Sequence, residues 1–374
     1  MEEEQKYLRR AISLAKKGLG WVNPNPLVGS VIVKNGRIIG EGYHEYYGGP
    51  HAEVIALENA TESVKGATMY VTMEPCSHHG KTPPCTDLII GKGIRKVVVG
   101  MKDPNPLVNG KGMKILAGAG IDVKAGIEEA AISKMNEIFI KYIVTGSPFC
   151  TLKTAMTLDG KIATVENASK WISCEDSRKL VHELRHKYSA VMVGINTVLY
   201  DDPLLNTRRI RKKSKDPLKV IVDSSGKIPM DAKVLEMNPN LVILATTDKI
   251  DRKKKRDLER LGVQVIVCPL KEERVDLKTL MFSLGKMDID SVLLEGGSTI
   301  AFSALSSGIV DKIISFVAPK IIGGAVAPSP VGGKGLPSME DAIGVTGWSF
   351  RKVGADIMIE GYINKKITAK TLKR

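Results

Sequence analysis

The chain has 374 residues, of which 43% are hydrophobic and 26% charged, a composition that favours a globular protein of two domains. It has no apolar run of about 18 residues and no apolar leader after its acidic start, so we expect a cytoplasmic protein without a membrane partner. The net charge of +14 raises the question of nucleic acid, but the low aromatic content of 5% leaves few platforms for stacked bases. We therefore attribute the positive charge to a lysine-rich surface and to small ligands that carry phosphate, and we expect no nucleic-acid partner.

The five cysteines do not form an evident disulfide framework. Their number is odd and they are scattered along a chain that we expect to be cytosolic. Cys76 and Cys85 are therefore free to bind metal, whereas Cys150, Cys174 and Cys268 are expected to be small, buried or half-buried apolar residues.

Strands and helices alternate along the first half of the chain, which predicts an α/β layer with helices on both faces. Asn35-Gly36 between two apolar runs is a strong hairpin signal. His51 is expected to open a helix, and Cys85 another. The predicted helices cover 4–17, 52–59, 85–92, 112–119 and 128–144, and the predicted strands cover 28–33, 37–43, 68–73 and 96–100.

His51, Glu53, Cys76 and Cys85 have the residue types and order of a hydrolytic zinc site. Imidazole nitrogen and thiolates suit tetrahedral zinc, and three protein ligands leave a position for water. Glu53 fits a proton shuttle beside the metal. This H-x-E…P-C…C order is typical of zinc-dependent nucleobase deaminases, although those carry two residues between the cysteines and this chain carries eight.

Four further residues are candidates near this site. His78 and His79, between the cysteines, offer a fourth metal ligand, but that would close the site. Contacts with substrate or with the metal ligands are favoured, and simple solvent exposure is the alternative. Asn23 and His44 flank the predicted hairpin. Asn23 can pair with the edge of a pyrimidine, or can serve only the turn before Pro24.

After a boundary at Gly146-Ser147-Pro148, the second half again alternates strands and helices. A capping box at Ser173–Asp176 predicts a helix over 174–187. The predicted strands cover 149–156, 191–194, 219–223, 241–246, 263–267, 291–295, 309–318 and 356–363, the last of them antiparallel. Strand 291–295 runs into Gly296-Gly297 and a helix start, which is a phosphate site or an ordinary turn.

Three segments resemble the deaminase half of the bifunctional riboflavin-biosynthesis deaminase/reductases: Asn23–Gly29, Gly49–Glu53 and Pro75–Cys85 with its eight-residue spacer. The segment from Lys153 to Gly160 resembles the start of the fused reductase. The resemblance implies a cytidine-deaminase-like α/β/α domain over 1–146, with Zn²⁺, and a dihydrofolate-reductase-like α/β domain over 147–374, with NADPH. It also implies a small phosphorylated pyrimidine substrate and a homo-oligomer, a dimer or tetramer.

The resemblance also implies residue roles in the second domain. The residues implied to contact the cofactor are Ala155, Trp171, Thr197, Asp201, Ser224, Gly297, Ser298, Thr299, Ile300, Ala301, Phe302 and Ser303. Those implied to contact the substrate are Ser169, Arg185, Leu205, Arg208 and Glu295. For the proton donor of the reduction, Lys153, Asp201 and Glu295 all remain open.

Two rival functions fit parts of the sequence. A deaminase of tRNA or free nucleosides with a C-terminal binding module would use the positive charge, but the long cysteine spacer and the Gly296-Gly297 turn argue against it. A zinc-stabilised nucleic-acid-binding protein without activity is disfavoured by Glu53 beside an open metal position.

Overall fold

Strands and helices alternate along both halves of the chain, and each half builds its own sheet. The computed structural model describes residues 2–77, 84–105, 108–208 and 213–364. It divides into two units, Met1–Ser147 and Pro148–Arg374. None of the helices in the described ranges combines the length and the apolar composition needed to cross a bilayer.

The elements of the first unit follow the predicted order, with one further strand, over 122–125, that was not predicted. They are α1 (Glu2–Ala15), β1 (Gly29–Lys34), β2 (Arg37–Tyr43), α2 (Ala52–Glu58), β3 (Thr68–Met73), α3 (Cys85–Gly91), β4 (Lys96–Met101), α4 (Lys111–Gly118), β5 (Asp122–Ala125), α5 (Glu129–Met135) and α6 (Glu137–Thr145).

The five strands form one sheet in the order β2-β1-β3-β4-β5. β1 and β2 form the predicted hairpin, with Asn35 and Gly36 both at positive φ (50° and 73°) in its turn. β1 and β3 are antiparallel, and β3, β4 and β5 are parallel. The side chains after β3 and β4 therefore meet at one edge of the sheet, where ligands collect in α/β proteins.

Helix α2 packs directly against strand β2 because two glycines of the strand face it. A Cβ atom on Gly40 would lie 2.3 Å from the carbonyl oxygen of Ala56, and one on Gly42 would lie 2.4 Å from that of Ala52. Any larger residue would push the helix away. This close packing determines where the start of α2, and with it Glu53, lies.

The predicted long helix over 128–144 is wrong, because two shorter helices replace it. Asn136 separates α5 from α6. Its side-chain amide both accepts a hydrogen bond from the backbone of Leu27 and donates one to it. Its Oδ1 accepts from the N–H of Leu27 at 2.8 Å, and its Nδ2 donates to the carbonyl at 3.1 Å. These two hydrogen bonds satisfy the buried N–H and carbonyl groups of Leu27, which has no strand partner to do so.

The second unit contains the remaining elements. They are β6 (Phe149–Thr157), α7 (Glu175–Lys187), β7 (Ala190–Gly194), α8 (Ile195–Asp201), β8 (Leu218–Val222), α9 (Lys233–Glu236), β9 (Val242–Thr246), α10 (Arg252–Arg260), β10 (Gln264–Val267), β11 (Leu270–Lys271), β12 (Arg274–Val275), α11 (Leu277–Gly285), β13 (Ser291–Glu295), α12 (Ser298–Ser306), β14 (Lys312–Ala318), β15 (Val345–Val353) and β16 (Asp356–Ile363).

Nine of these strands form a sheet in the order β10-β9-β8-β7-β13-β6-β14-β16-β15. The pairs from β10 to β14 are all parallel. β16 is antiparallel to β14, as predicted, and β15 is antiparallel to β16. Burial on both faces explains why the central strands are continuous apolar runs.

Several details of the second unit differ from the sequence prediction, which also lacked the short strands β11 and β12. The helix near 174 has Cys174, not Ser173, at its N-cap, and the N–H of Cys174 donates to Oδ2 of Asp356 at 2.8 Å. Strand β15 is absent from the predicted strands. Its residues are exposed almost throughout, so it lacks the apolar alternation that marks a half-buried strand.

Candidate active sites

Three predicted metal ligands converge in the first unit although the chain separates them widely. His51 is the N-cap of α2, Cys76 follows β3, and Cys85 is the first residue of α3. Nδ1 of His51 lies 3.3 Å from Sγ of Cys85 and 3.4 Å from Sγ of Cys76. Helix starts and a strand end thus bring one imidazole and two thiols together.

The spacing of these three groups fits zinc. Their ligand atoms all lie within 4.8 Å of one another. Zinc bonds of about 2.0 Å to nitrogen and 2.3 Å to sulfur, at tetrahedral angles, separate ligand atoms by about 3.5 Å. One nitrogen and two sulfurs are also a donor set that zinc prefers, and they leave a fourth position for water.

The contact between the two thiols shifts their pKa values in opposite directions. The hydrogen bond from Cys85 lowers the pKa of Cys76 to about 4, against the effect of burial. The same contact raises the pKa of Cys85. Cys76 is therefore held as a thiolate, which is the form that binds metal.

Glu53 lies in the first turn of α2, two residues after His51, and is buried with 3% exposure. Burial raises the pKa of its carboxyl to about 6, and the nearby His51 opposes that rise. A carboxyl group at this place can both accept and donate a proton near neutral pH.

Sequence reasoning missed Glu74, which organises the loop that carries Cys76. Its carboxylate is 5% exposed and accepts four backbone N–H groups from the chain after β4. The donors are Asp103 at 3.2 Å, Gly110 at 2.9 Å, Gly112 at 2.9 Å and Met113 at 3.3 Å. The only available sequence signal was its position next to Pro75-Cys76.

His44 lies beside the metal ligands, and its ring stands edge-on to that of His51 at 5.8 Å. Its Nδ1 lies 2.9 Å from the carbonyl oxygen of Pro50 and its Nε2 lies 3.1 Å from Nδ2 of Asn25. Since a carbonyl only accepts and an amide nitrogen only donates, the proton is on Nδ1. Burial lowers the pKa of His44, which keeps the ring neutral.

The structure says less about the roles of the other residues predicted to lie near the metal. Asn23 is half-buried in the turn before β1, two residues from the Asn25 that contacts His44. Its place at the substrate stays a prediction. His78 and His79 lie outside the described residues.

The second unit contains a cavity of about 680 Å³ at the carboxyl ends of its parallel strands. Most of the predicted cofactor residues line it: Ala155, Thr197, Asp201, Ser224, Gly297, Ser298, Thr299, Ile300, Ala301 and Ser303. Trp171 and Phe302 are not among the lining residues. Trp171 is 58% exposed and stacks under the guanidinium of Arg178 at 4.6 Å.

The turn after β13 has the geometry expected of a phosphate-binding loop. Gly296 and Gly297 are at positive φ, 70° and 82°, and helix α12 begins at the next residue. Their missing side chains allow a ligand to approach the backbone N–H groups at the helix start.

The predicted substrate residues separate into two places. Ser169 lines the cavity and donates to Oδ1 of Asp201 at 2.9 Å. Arg185 and Glu295 form a buried two-pronged ion pair, with N–O distances of 2.7 and 2.9 Å, outside the cavity lining. Leu205 and Arg208 belong to the loop that Arg185 contacts, because Nη1 of Arg185 donates to the carbonyl of Asn206 at 3.0 Å.

Lys153 connects these two places. It lines the cavity and is paired with Glu295 across the neighbouring strands β6 and β13. Burial lowers the pKa of Lys153, and Glu295 opposes that shift. Burial would raise the pKa of Glu295, but the Arg185 guanidinium outweighs it and the net effect is a lowered pKa.

The comparisons with known proteins cover both units. Residues 1–101 match the model of the cytidine and deoxycytidylate deaminase zinc-binding region, and residues 148–359 match that of the RibD C-terminal domain. The riboflavin biosynthesis protein RibD of Actinobacillus pleuropneumoniae is 48% identical over 95% of this chain and 94% of its own length. The chain belongs to the RibD family.

Solved structures of this family have the same fold. Acinetobacter baumannii RibD superposes with a TM-score of 0.89 at 39% identity, over 97% of this chain and 99% of its own. A deaminase/reductase of Thermotoga maritima gives 0.84 at 40% identity over 97% and 99%. The predicted fold class, a cytidine-deaminase-like domain followed by a dihydrofolate-reductase-like domain, is confirmed.

Membership in the RibD family identifies a bifunctional deaminase and reductase of riboflavin biosynthesis. The predicted cofactors, Zn²⁺ and NADPH, are confirmed, and His51, Cys76 and Cys85 form a cluster that could hold the zinc. The rival prediction of a tRNA or nucleoside deaminase is not favoured.

Proposed function

We propose that the chain deaminates 2,5-diamino-6-(5-phosphoribosylamino)pyrimidin-4-one and then reduces the ribosyl group of the product to ribityl. The observation that carries the first step is the cluster of His51, Cys76 and Cys85 with Glu53 beside it. The Thermotoga maritima relative is a diaminohydroxyphosphoribosylaminopyrimidine deaminase and 5-amino-6-(5-phosphoribosylamino)uracil reductase, and this similarity supports the choice of substrate.

In the deamination, the chain's own contribution is proton transfer and positioning. Bound zinc lowers the pKa of a water molecule towards neutrality. Glu53 takes a proton from the attacking water and returns protons to the ring nitrogen and to the leaving ammonia. His44, fixed by Pro50 and Asn25, presents its edge beside the metal ligands, where it and Asn23 contact the pyrimidine.

In the reduction, NADPH supplies the hydride, and the protein orients it and supplies a proton. We assign the proton to Lys153. Glu295 is paired with Arg185 on both oxygens and is held ionised, so it is a poor acid. Asp201 already accepts a hydrogen bond from Ser169. Lys153 has a lowered pKa and lies in the cavity lining, so it can give up a proton more readily than an ordinary lysine.

The remaining residue roles belong to the same proposal. The cavity-lining residues from Gly297 to Ser303, with Ala155, Thr197, Asp201 and Ser224, contact the dinucleotide. Ser169 contacts the substrate from the cavity side, and Arg185, Leu205, Arg208 and Glu295 do so from the neighbouring group. Trp171 and Phe302 would reach the cofactor only if it extends beyond the cavity.

Two broader expectations complete the proposal. Five free cysteines support a reducing, cytoplasmic location. An exposed edge strand, β15, with Trp348 and Phe350 stacked on it, supports a homo-oligomer, because such edges are usually covered.

Replacing Glu53 with glutamine tests the deamination. The amide cannot carry the proton, so ammonia release should fall about 10²–10⁴-fold while zinc content stays stoichiometric. NADPH oxidation on the deaminated substrate should be unchanged, since the reductase residues lie in the other unit.

Glu58→Gln is the matched control, because Glu58 is the exposed last residue of the same helix. It should leave ammonia release unchanged. Ammonia release at the full rate in Glu53→Gln would exclude the proton-shuttle role.

A further inference from the structure

The cavity of the second unit is elongated across the sheet, and the order of the strands that end at it defines its two ends. Its lining comes from β6, from the Gly296-Gly297 turn after β13, from α8 after β7, and from Ser224, Ser225 and Lys227 after β8. These strands are neighbours in the order β8-β7-β13-β6. At about 4.8 Å between strands, the cavity spans about 14 Å from β6 to β8.

The two ends of the cavity differ in chemistry. Lys153 of β6, next to Glu295, is at one end, and under the proposed function that end holds the reacting nicotinamide. The Gly296-Gly297 turn and the start of α12, in the middle, suit the pyrophosphate. The adenosine half of the cofactor then lies at the β8 end, and the inference below rests on the proposed function in this respect.

Two cations line the β8 end. Lys227 is exposed in the loop after β8, and Arg274 is exposed at the start of β12. Nη1 of Arg274 reaches Oγ of Ser303 on α12 at 3.3 Å. Oγ of Ser224 accepts from the N–H of Val275 at 3.1 Å, and this bond joins the two loops that carry the cations.

The acidic groups at this end are already engaged. Asp223 accepts from the N–H groups of Ile228 at 2.8 Å and Ser225 at 3.4 Å. Glu273 forms an ion pair with Lys249. Among the described residues, neither Lys227 nor Arg274 has a carboxylate partner, so both cations are available to an anion in the cavity.

We propose that Lys227 and Arg274 bind the 2′-phosphate on the adenosine ribose of NADPH and thereby select NADPH over NADH. A phosphate monoester carries a charge of about −1.5 to −2 at neutral pH, whereas NADH has a neutral hydroxyl at the same position. A guanidinium and an ammonium group on neighbouring loops can bind such a group from two sides. The hydroxyl of Ser224 is close to both loops and can donate to the same phosphate.

The test is binding of nucleotides to the full chain by isothermal titration calorimetry. The probes are NADPH, NADH, 2′,5′-ADP and ADP. Lys227→Ala and Arg274→Ala should each weaken NADPH and 2′,5′-ADP by about tenfold or more, the usual size for loss of a charge-assisted contact. Binding of NADH and ADP should change less than about twofold.

Lys253→Ala is the matched control, because it removes an exposed lysine of α10 that does not line the cavity. It should leave all four dissociation constants unchanged. An equal loss of NADPH and NADH affinity in Lys227→Ala and Arg274→Ala, or no loss for either, would overturn the inference. Wild-type protein that binds neither NADPH nor NADH would instead refute the proposed function.

Discussion

Arg185 determines which group near the proposed reduction site can act as an acid. Its guanidinium bonds both oxygens of Glu295 and is buried with it. A carboxylate paired in this way stays ionised and serves to hold charge and position. Lys153 lies next to it in the sheet with a lowered pKa, so the proton of the reduction is expected from this lysine.

The pH dependence of the reduction follows from the direction of that shift. Lys153 donates only while protonated, so the rate of NADPH oxidation should fall as pH rises through its pKa, which burial places below that of a free lysine. Lys153→Arg keeps the charge at all these pH values, so its rate, though lower, should not show this alkaline fall. Steady-state rates on the deaminated substrate, from neutral to alkaline pH, measure both profiles.

The same alkaline fall in the Lys153→Arg variant would assign the proton to another group. Lys161→Arg is a suitable control, since Lys161 follows β6 and its ammonium bonds the carbonyl of Ala327 at 3.1 Å. Its profile should match that of the wild type.

At the scale of elements, the predicted metal site depends on the segment that carries Cys76, which hydrogen bonds to Glu74 hold in place. Cys76 follows β3 without regular structure of its own, and the four N–H bonds to Glu74 hold this loop against the chain after β4. The approach is close: a Cβ on Gly112 would lie 2.2 Å from the carbonyl oxygen of Pro75. A buried carboxylate with four donors is therefore a positioning group for Cys76.

Glu74→Gln should loosen this loop. The amide nitrogen faces backbone N–H groups that it cannot accept from, and each unsatisfied buried donor costs about 1–3 kcal/mol. We expect zinc to be released to a colorimetric chelator several times faster, and ammonia release to fall with it. NADPH oxidation in the same chain reports whether the second unit is intact.

Glu62→Gln removes an exposed carboxylate that lies 3.8 Å from Nη2 of Arg37, and should leave zinc release unchanged. Unchanged zinc release in Glu74→Gln would limit Glu74 to a structural role away from the metal.

Local sequence patterns predicted the elements that are stabilised by neighbouring residues in the chain. Asn35-Gly36 forms a hairpin turn through its own backbone preferences, and the apolar runs of the parallel sheet identify buried strands. The break at Asn136 was not predictable in this way, because its cause is a pair of hydrogen bonds to Leu27, 109 residues away. β15 escaped prediction because its exposed side chains show no apolar alternation.

At the scale of the whole molecule, the two chemistries occupy separate units. The predicted zinc ligands belong to Met1–Ser147, and the cavity residues belong to Pro148–Arg374. Removing zinc with a chelator should therefore abolish ammonia release and leave NADPH binding unchanged. Calorimetry with NADPH before and after chelation measures the second effect, and restored ammonia release on adding Zn²⁺ confirms the first.

A large change in NADPH affinity on chelation would show that the two units are coupled. Inductively coupled plasma measurements on the treated protein establish that the zinc has left.

The sites differ in how far the sequence could predict them. The residue types His51, Glu53, Cys76 and Cys85 identify their chemistry before any fold is known, because few other combinations suit hydrolytic zinc. Lys227 and Arg274 carry no such signal. Each resembles an ordinary surface cation in the sequence. The strand order places Lys227 at the β8 end of the cavity, and the hydrogen bond from Val275 to Ser224 brings the neighbouring Arg274 to the same end.

Because of the strand order, different loops contribute the residues for proton transfer and for each part of the cofactor. Under the proposed function, Lys153 on β6 supplies the proton, the turn after β13 faces the pyrophosphate, and Lys227 in the loop after β8 binds the 2′-phosphate. Each of these segments continues from its own strand, and the side chains of Lys227 and Arg274 are exposed. Cofactor preference can therefore evolve, or be engineered, by exchange of two exposed side chains, without altering either the reaction or the packed sheet beneath it.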